Sequence, residues 1–318
     1  MEKRFESIIR LALRHRATDI HFSLSDEGIS IQIRGIDGLL KLKTDREDEK
    51  LFNYLKYQAH IDLSSLNRPQ VGAFTYFLDG MFYDFRLAVI TTARVRNGVL
   101  RILNCHGGMP LAEITADREA QKTFLSWLNK RSGLIIFSGL TGSGKTTTLY
   151  SLLKQARNRM VYSLEDPIEV VHDNIIQLEV NERIGFGYDE GIKQILRHNP
   201  DIVMIGEIRD EKTAKMAVRA ALTGCLVVTS LHARSTTSAI NRLVELGVNR
   251  HDLLDCLEAV VSQRLCKVRN DNRYTCIFDI LTRSEIKAVE QQDGDARLKA
   301  KVLKAVESGL IEERYRHE

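Results

Sequence analysis

The stretch Gly139-Leu-Thr-Gly-Ser-Gly-Lys-Thr146 fits the pattern GxxxxGK[ST] and stands between two runs of different character. The unbroken apolar run Leu134 to Phe137 precedes it and indicates a buried strand, and the run Thr147 to Gln155 follows it and favours a helix. Glycines in such a turn let successive backbone N–H groups point at phosphate oxygens, and the following helix adds its positive N-terminal dipole. The sequence therefore predicts a nucleoside triphosphate site.

A run of consecutive residues supplies the candidate nucleotide ligands. They are Gly139, Leu140, Thr141, Gly142, Ser143, Gly144, Lys145, Thr146 and Thr147. From its place in the pattern, Lys145 is expected to reach the β- and γ-phosphates. The Thr146 hydroxyl is expected to ligate Mg²⁺, so this metal is predicted to accompany the nucleotide.

Two acidic residues follow other apolar runs downstream of this loop. Glu165 comes directly after the run Met160 to Leu164, and Glu207 follows the run Ile202 to Ile205 at a distance of one residue. Because ligands gather at the carboxyl ends of strands in open α/β sheets, both acids are candidates for activating water or organising a metal. The alternative for each acid taken singly is a helix cap or a solvated turn.

The second part of the chain alternates short apolar runs with helical stretches. Strands as uniformly apolar as Leu134 to Phe137 are buried on both faces, which is typical of a parallel sheet covered by helices. We therefore expect an α/β domain with a doubly wound, mainly parallel sheet over residues 114–318, ending in a charged helical tail.

The first part of the chain has a different pattern. Apolar residues at helical spacing up to Arg16, opposite a basic face, predict a first helix that packs on its own domain; a helix lying on a membrane is the alternative. The alternating run Ile29 to Ile33 and short apolar runs up to Leu103 predict an antiparallel sheet. We expect a smaller α+β domain over residues 1–104 and a Gly- and Pro-containing linker over residues 105–113.

Length and composition exclude several classes of protein. The 318 residues suffice for two domains, and 43% hydrophobic with 28% charged residues excludes disorder. A net charge of +4 is too small to indicate nucleic-acid binding by itself. The five cysteines form no CxxC pair, which indicates a reducing compartment and predicts no zinc site. No apolar run approaches the length of a transmembrane helix, so we expect a cytosolic protein.

Four boxes resemble those of the type II/type IV secretion ATPase superfamily, the hexameric motors of pilus, pseudopilus and secretion systems. Besides the phosphate loop they are the aspartate box Ser163-Leu-Glu-Asp-Pro-Ile-Glu169, the Walker B region Leu196 to Asp210, and the histidine box Ala220 to Ala233. The N-terminal part matches through Thr18-Asp-Ile-His-Phe22 and Asn67-Arg-Pro-Gln-Val-Gly72. The resemblance covers most of residues 18–265 and implies a RecA-like ATPase domain preceded by a PAS-like domain.

The resemblance also assigns roles in ATP hydrolysis. It implies that Glu165 is the general base on the attacking water, that Glu207 organises Mg²⁺ through a water, and that His232 lies near the γ-phosphate. Gly206 stands where many phosphate-loop ATPases have an aspartate, which puts direct Walker B metal ligation in doubt.

Arg86 and Arg101 occupy positions where the superfamily has arginines. Guanidinium groups stabilise the charge that phosphoryl transfer leaves on equatorial oxygens, so both are candidate catalytic residues. The alternative is a solvated sheet face with an ordinary salt bridge.

The chain departs from the superfamily pattern in several places. Cys225 replaces the first histidine of the histidine box, and Val95-Arg96 replaces a Gly-Glu pair. The sequence contains no cysteine-rich zinc insert, and we expect no long N-terminal extension. In these respects the chain most resembles the competence-pseudopilus ATPases of Gram-positive bacteria, with pilus-retraction ATPases next.

The resemblance thus implies a hexameric, Mg²⁺-dependent ATPase that powers assembly of a competence pseudopilus, and so DNA uptake. It would act on the inner face of the cell membrane with a polytopic platform protein as its partner. A pilus-retraction or general secretion ATPase is the alternative within the superfamily, and a non-hydrolysing nucleotide switch is suggested only by Cys225. A RecA-like nucleic-acid motor is disfavoured by the single tryptophan and the nearly balanced charge, so no direct nucleic-acid binding is expected.

Overall fold

A computed structural model of the protein describes residues 1–35, 38–63, 68–91, 96–103, 109–271, 273–286 and 294–316. The chain divides into two compact units, Met1–Cys105 and His106–Glu318. Of the predicted linker, residues 105–108 lie outside the described residues, and Leu111–Ile114 forms a short helix. Asn67 and Val95, named above, also lie outside them.

The described strands of the first unit form a six-stranded sheet in the order β3-β2-β1-β6-β5-β4, with every neighbouring pair antiparallel. The elements in chain order are α1 (Glu2–Arg14), β1 (Asp19–Ser25), β2 (Gly28–Gly35), β3 (Gly38–Lys41), α2 (Glu47–Gln58), β4 (Gln70–Leu78), β5 (Met81–Thr91) and β6 (Arg96–Ile102). The antiparallel sheet expected from the alternating runs is therefore present.

Helix α1 packs on its own unit, as its apolar spacing predicts. Its buried residues Phe5, Ile8, Ile9 and Ala12 follow the helical period and join the core formed by one face of the sheet. Each such fully buried large apolar side chain contributes about 1.5–3 kcal/mol relative to an exposed one. Of its basic residues, Lys3 and Arg14 are exposed, whereas Arg4 forms an ion pair with the buried Asp48.

The described strands of the second unit form a seven-stranded sheet in the order β13-β12-β7-β11-β10-β8-β9. The elements in chain order are α3 (Leu111–Ile114), α4 (Arg118–Trp127), β7 (Gly133–Ser138), α5 (Lys145–Leu153), β8 (Val161–Glu165), β9 (Ile176–Glu179), α6 (Tyr188–Arg197), β10 (Ile202–Ile205), α7 (Glu211–Leu222), β11 (Leu226–Leu231), α8 (Thr236–Glu245), α9 (Arg250–Cys256), β12 (Leu257–Lys267), β13 (Tyr274–Thr282), α10 (Arg283–Ile286) and α11 (Gly294–Glu307). Only the pairing of β12 with β13 is antiparallel among these strands.

Both faces of this sheet are covered, which confirms the predicted doubly wound α/β architecture. Along β7, Leu134 and Ile136 belong to one hydrophobic cluster, whereas Ile135 and Phe137 belong to another on the opposite face. Successive side chains of a strand point to opposite faces, so an unbroken apolar run is what a doubly covered sheet requires. None of the helices in the described part of the chain is both long and apolar enough to cross a membrane.

Candidate functional site

The phosphate loop connects β7, near the middle of the seven-stranded sheet, to α5. Gly144 lies just before α5 with φ +85°, in the left-handed region where side chains with a Cβ are strained. At Gly139 a Cβ would come within 2.6 Å of both the Gln263 carbonyl oxygen and Ser143 Oγ. The loop conformation thus depends on glycine at both positions.

Lys145 is buried and folds back over its own loop. Its ammonium donates to the carbonyl oxygens of Gly139 at 2.9 Å and Leu140 at 3.1 Å. Burial lowers the pKa of Lys145, and the negative charge of Glu207 acts in the opposite direction. Ser143 Oγ is also buried, without a hydrogen-bond partner among the described residues. A cation and an unused polar atom in one glycine cradle fit a phosphate group, so the residues present fit the nucleotide.

Thr146 and Glu207 supply oxygen donors of the kind that Mg²⁺ prefers. Thr146 lies half-buried in the first turn of α5, and the Glu207 side chain is 19% exposed. Within the described residues no group of three or more His, Cys, Asp or Glu side chains could hold a metal. Magnesium keeps several waters and binds substrate phosphates, so one hydroxyl and one water-bridged carboxylate fit it. Bound there, it would neutralise charge on the phosphate oxygens.

Gln263 supports the loop from below and was not predicted from the sequence. Strand β12 runs beside β7, with Ser262 paired to Ser138, which places Gln263 under the loop that follows β7. Its buried Nε2 donates to the Ser143 carbonyl oxygen at 2.7 Å and lies 3.1 Å from Cys276 Sγ. This role could be predicted only from the knowledge that β12 lies beside β7 in the sheet.

Glu165 ends β8 and is only 3% exposed. Its Oε1 accepts hydrogen bonds from Ser163 Oγ at 2.5 Å and from Gln177 Nε2 at 3.1 Å. Its Oε2 accepts a hydrogen bond from the hydroxyl of Tyr150, which lies on α5. The carboxylate of the predicted general base is therefore held by several side chains behind the phosphate loop.

Glu207 follows β10 and lies next to His232 of the histidine box and to Arg209, which contacts the aspartate box. Its Oε1 accepts a hydrogen bond from Arg209, and its Oε2 lies 3.3 Å from His232 Nε2, just after β11. Burial lowers the pKa of His232, and the charge of Lys145 acts in the same direction. Arg209, which the sequence reasoning missed, also lies 3.7 Å from the carboxylate of Asp166 in the aspartate box. The structure thus brings the Walker B and histidine boxes together beside the aspartate box.

Gly206 fits its place without a side chain. A Cβ there would lie 3.3 Å from the Leu164 carbonyl oxygen, so the neighbouring strand would have to yield by a few tenths of an ångström. Its N–H donates to that same oxygen at 2.9 Å. The missing Walker B aspartate therefore coincides with close approach of β10 to β8.

Cys225 lies at the opposite end of β11 from His232. Leu226 pairs with Gly133 at the start of β7, whereas Leu231 pairs with Ser138, next to the phosphate loop. At about 3.3 Å per residue, Cys225 and His232 are roughly 20 Å apart. The cysteine is buried, and its Sγ lies 3.1 Å from the Ala220 carbonyl oxygen. Cysteine in place of histidine at this position therefore removes no group from the site. Cys225 thus gives no reason to expect a non-hydrolysing switch.

Arg86 and Arg101 belong to the first unit and face one another across β5 and β6. Both are exposed, and their chain neighbours Phe85, Leu87, Leu100 and Ile102 are buried. Arg101 Nε donates to Asp19 Oδ1 at 2.8 Å, the ordinary salt bridge that was the alternative for this residue. Like charges directly opposite on neighbouring strands disfavour the pairing, and an anion bound between them would relieve this cost.

The described cysteines give a test of the zinc prediction. All are buried, and burial raises the pKa of Cys225 to about 11 and the pKa values of Cys256 and Cys276 to about 12. Because the thiolate is the reactive form, we expect these three to resist iodoacetamide at pH 8 in the native protein and to react in guanidinium chloride. Mass spectrometry locates the label, and elemental analysis of protein purified without added metal is expected to find no zinc. Stoichiometric zinc, or fast native labelling of these thiols, would contradict this prediction.

Comparisons with known proteins agree with the geometry. A family model described as type II/IV secretion system protein matches residues 1–307. The chain is 37% identical over 270 residues to the competence protein ComGA of Bacillus subtilis, covering 83% of this chain and 76% of that one. It is 36% identical over 296 residues to ComGA of Halalkalibacterium halodurans, covering 85% and 84%. The crystal structure of the ATPase DotB of Legionella pneumophila superposes with a TM-score of 0.78 at 21% identity, over 97% of this chain and 93% of that one. This last likeness confirms the expected fold.

Proposed function

Because the chain belongs to the type II/IV secretion system protein family, as its four boxes predict, we propose that it is an ATPase motor driving assembly of a competence pseudopilus, and so DNA uptake. The observation that carries this proposal is the gathering of Lys145, Glu207 and His232 at the carboxyl edge of the parallel sheet. Glu165 ends a neighbouring strand at the same edge. Ligands of open α/β sheets bind at this edge.

The residues divide the work of hydrolysis among them. Lys145 and the loop N–H groups bind the β- and γ-phosphates of ATP. Thr146 would hold Mg²⁺ directly and Glu207 would hold it through a water. The water oxygen attacks the γ-phosphorus, its proton passes to the Glu165 carboxylate, and the bond to the ADP oxygen breaks. His232, whose Nε2 lies 3.3 Å from Glu207 Oε2, would lie near the γ-phosphate.

Family membership supports a proposal for the oligomeric state, location and partner of this motor. We propose a homo-hexamer that acts from the cytoplasmic face of the membrane on a polytopic platform protein. Arg86 and Arg101 are proposed to stabilise the charge on the equatorial oxygens of the transferring phosphoryl group.

Genetic complementation in the naturally transformable host tests the function. Deletion of the gene is expected to abolish transformation and to remove pseudopilins from the sheared surface fraction, and the wild-type gene is expected to restore both. A Lys145→Ala allele should fail, whereas a Lys154→Ala allele, changed at an exposed lysine just after α5, should succeed. Surface pili that accumulate in the deletion would instead indicate a retraction motor. ATPase activity stimulated by single-stranded DNA and lost at high salt would indicate a nucleic-acid motor.

Arg86→Ala and Arg101→Ala are each expected to lower ATPase turnover by about tenfold or more, with the roughly 10³–10⁵ effect of an arginine finger as the upper limit. Lysine should rescue neither variant well because it lacks the planar guanidinium fork. Steady-state phosphate release measures the effect, and circular dichroism checks that the fold is retained. The matched control is Arg34→Ala, an exposed arginine opposite Asp19 in the same row of the sheet, which should leave turnover unchanged. Normal ATPase rates and normal transformation in both alanine variants would return the two arginines to the role of ordinary surface residues.

A further inference from the structure

The carboxylate of Glu165 is held from the phosphate-loop helix as well as from its own strand. Tyr150, in the second turn of α5, donates its hydroxyl hydrogen to Glu165 Oε2, while Ser163 and Gln177 donate to Oε1. Tyr150 is 2% exposed, so water does not compete for this contact. The same helix begins at Lys145, so Tyr150 connects the phosphate loop to the proposed base through one helix and one hydrogen bond.

The ring of Tyr150 is fixed on its other side. It packs against His172 with ring centroids 4.4 Å apart. Gln177 Oε1 accepts the backbone N–H of His172 at 2.7 Å, and its Nε2 donates to the Val170 carbonyl oxygen at 2.8 Å as well as to Glu165. Burial and the negative charge of Glu165 raise the pKa of Tyr150, so its hydroxyl keeps its proton and stays a donor. The hydroxyl therefore has one defined direction.

From this arrangement we propose that Tyr150 is a positioning residue that sets the orientation of the Glu165 carboxylate from the phosphate-loop helix. The inference rests on the proposed role of Glu165 as general base. A base must lie within hydrogen-bond reach of the water proton in the correct orientation, and a small misplacement lowers the rate more than it lowers substrate affinity. Any change in the phosphate-loop helix would reach the base through this contact.

Tyr150→Phe tests the proposal because it removes only the hydroxyl and keeps the ring on His172. We expect kcat to fall about tenfold or more, with KM for ATP and the Kd for a non-hydrolysable ATP analogue within about twofold of wild type. The matched control is Tyr162→Phe, on β8, a buried tyrosine whose ring likewise lies on a histidine, His198, and whose hydroxyl has no hydrogen bond among the described residues. This control should keep the wild-type kcat. Thermal melting sets an assay temperature at which both variants are folded.

A double variant separates positioning from a purely structural role. If Tyr150 acts through Glu165, adding Tyr150→Phe to Glu165→Gln should not lower the residual kcat further. An unchanged or increased kcat in Tyr150→Phe, or a full additional loss in the double variant, would overturn the proposal. The proposed function is tested separately: a wild-type kcat in Glu165→Gln alone removes the base, whereas an inactive Glu165→Gln beside a fully active Tyr150→Phe removes only the role of Tyr150.

Discussion

Lys145→Ala is expected to lose ATP binding and, with it, all measurable ATPase activity. The buried ammonium is the cation of the phosphate loop, and its two hydrogen bonds to loop carbonyl oxygens show that it already lies against the cradle. Charge-assisted hydrogen bonds contribute about 1.5–3 kcal/mol each, so losing two or more of them weakens nucleotide affinity by at least about a hundredfold. Isothermal titration calorimetry with ATP measures the binding, and phosphate release measures turnover.

The same variant should keep its fold. Burial already disfavours the charged form of Lys145 in the folded protein. Removing the ammonium therefore relieves a desolvation penalty of the folded state. We expect a melting temperature no lower than that of the wild type in the absence of nucleotide. Lys154→Ala, at an exposed position just after the same helix, controls for loss of a lysine and should bind ATP normally. Normal affinity in Lys145→Ala would refute the assignment of the phosphate loop.

Glu165→Gln is expected to bind ATP with nearly wild-type affinity and to lose turnover by about 10²–10⁴-fold, the usual contribution of a general base. Glutamine has almost the same shape, and its amide can still hydrogen bond to Tyr150 and Ser163, so the buried site is retained. The loss of turnover then measures the effect of removing the proton acceptor. Single-turnover hydrolysis with excess enzyme measures the chemical step apart from product release.

Glu207→Gln provides the comparison for this result. If Glu207 organises Mg²⁺ through a water, its variant should require more Mg²⁺ for half-maximal activity, whereas the Mg²⁺ dependence of residual activity in Glu165→Gln should match the wild type. Hydrolysis at the wild-type rate in Glu165→Gln would mean that Glu165 is not the base, and Glu207 would then be the candidate. A magnesium titration of the two variants therefore assigns the two acids separately.

The sequence predicts those parts of the fold that depend on local pattern. Apolar runs such as Leu134 to Phe137 and Ile202 to Ile205 identify strands of the parallel sheet because burial on both faces leaves an unbroken apolar signature. Strand β12 was not predicted, because Glu258, Gln263 and Arg264 interrupt its apolar pattern. Its neighbour β13 was missed with it.

Side-chain partners across the sheet could not be predicted for a related reason. Gln263 reaches the phosphate loop only because β12 lies beside β7. Tyr150 reaches Glu165 only because α5 lies on the face of the sheet to which Glu165 points. Such contacts depend on strand order, which no local pattern contains. Cys225 and His232 are a simpler case. They flank the six-residue strand β11, so the length of that strand alone shows that they lie at opposite ends of it.

Each group of the site comes from a different one of five consecutive strands. Gln263 comes from β12, the phosphate loop from β7, His232 from β11, Glu207 from β10 and Glu165 from β8. Local opening of any one of these strands therefore displaces a group of the site. The reverse also holds by thermodynamic linkage: nucleotide at a hundred times its dissociation constant adds about 2.7 kcal/mol to the unfolding free energy of the entire sheet. Nucleotide bound at one small loop thus stabilises every strand that contributes to the site against opening.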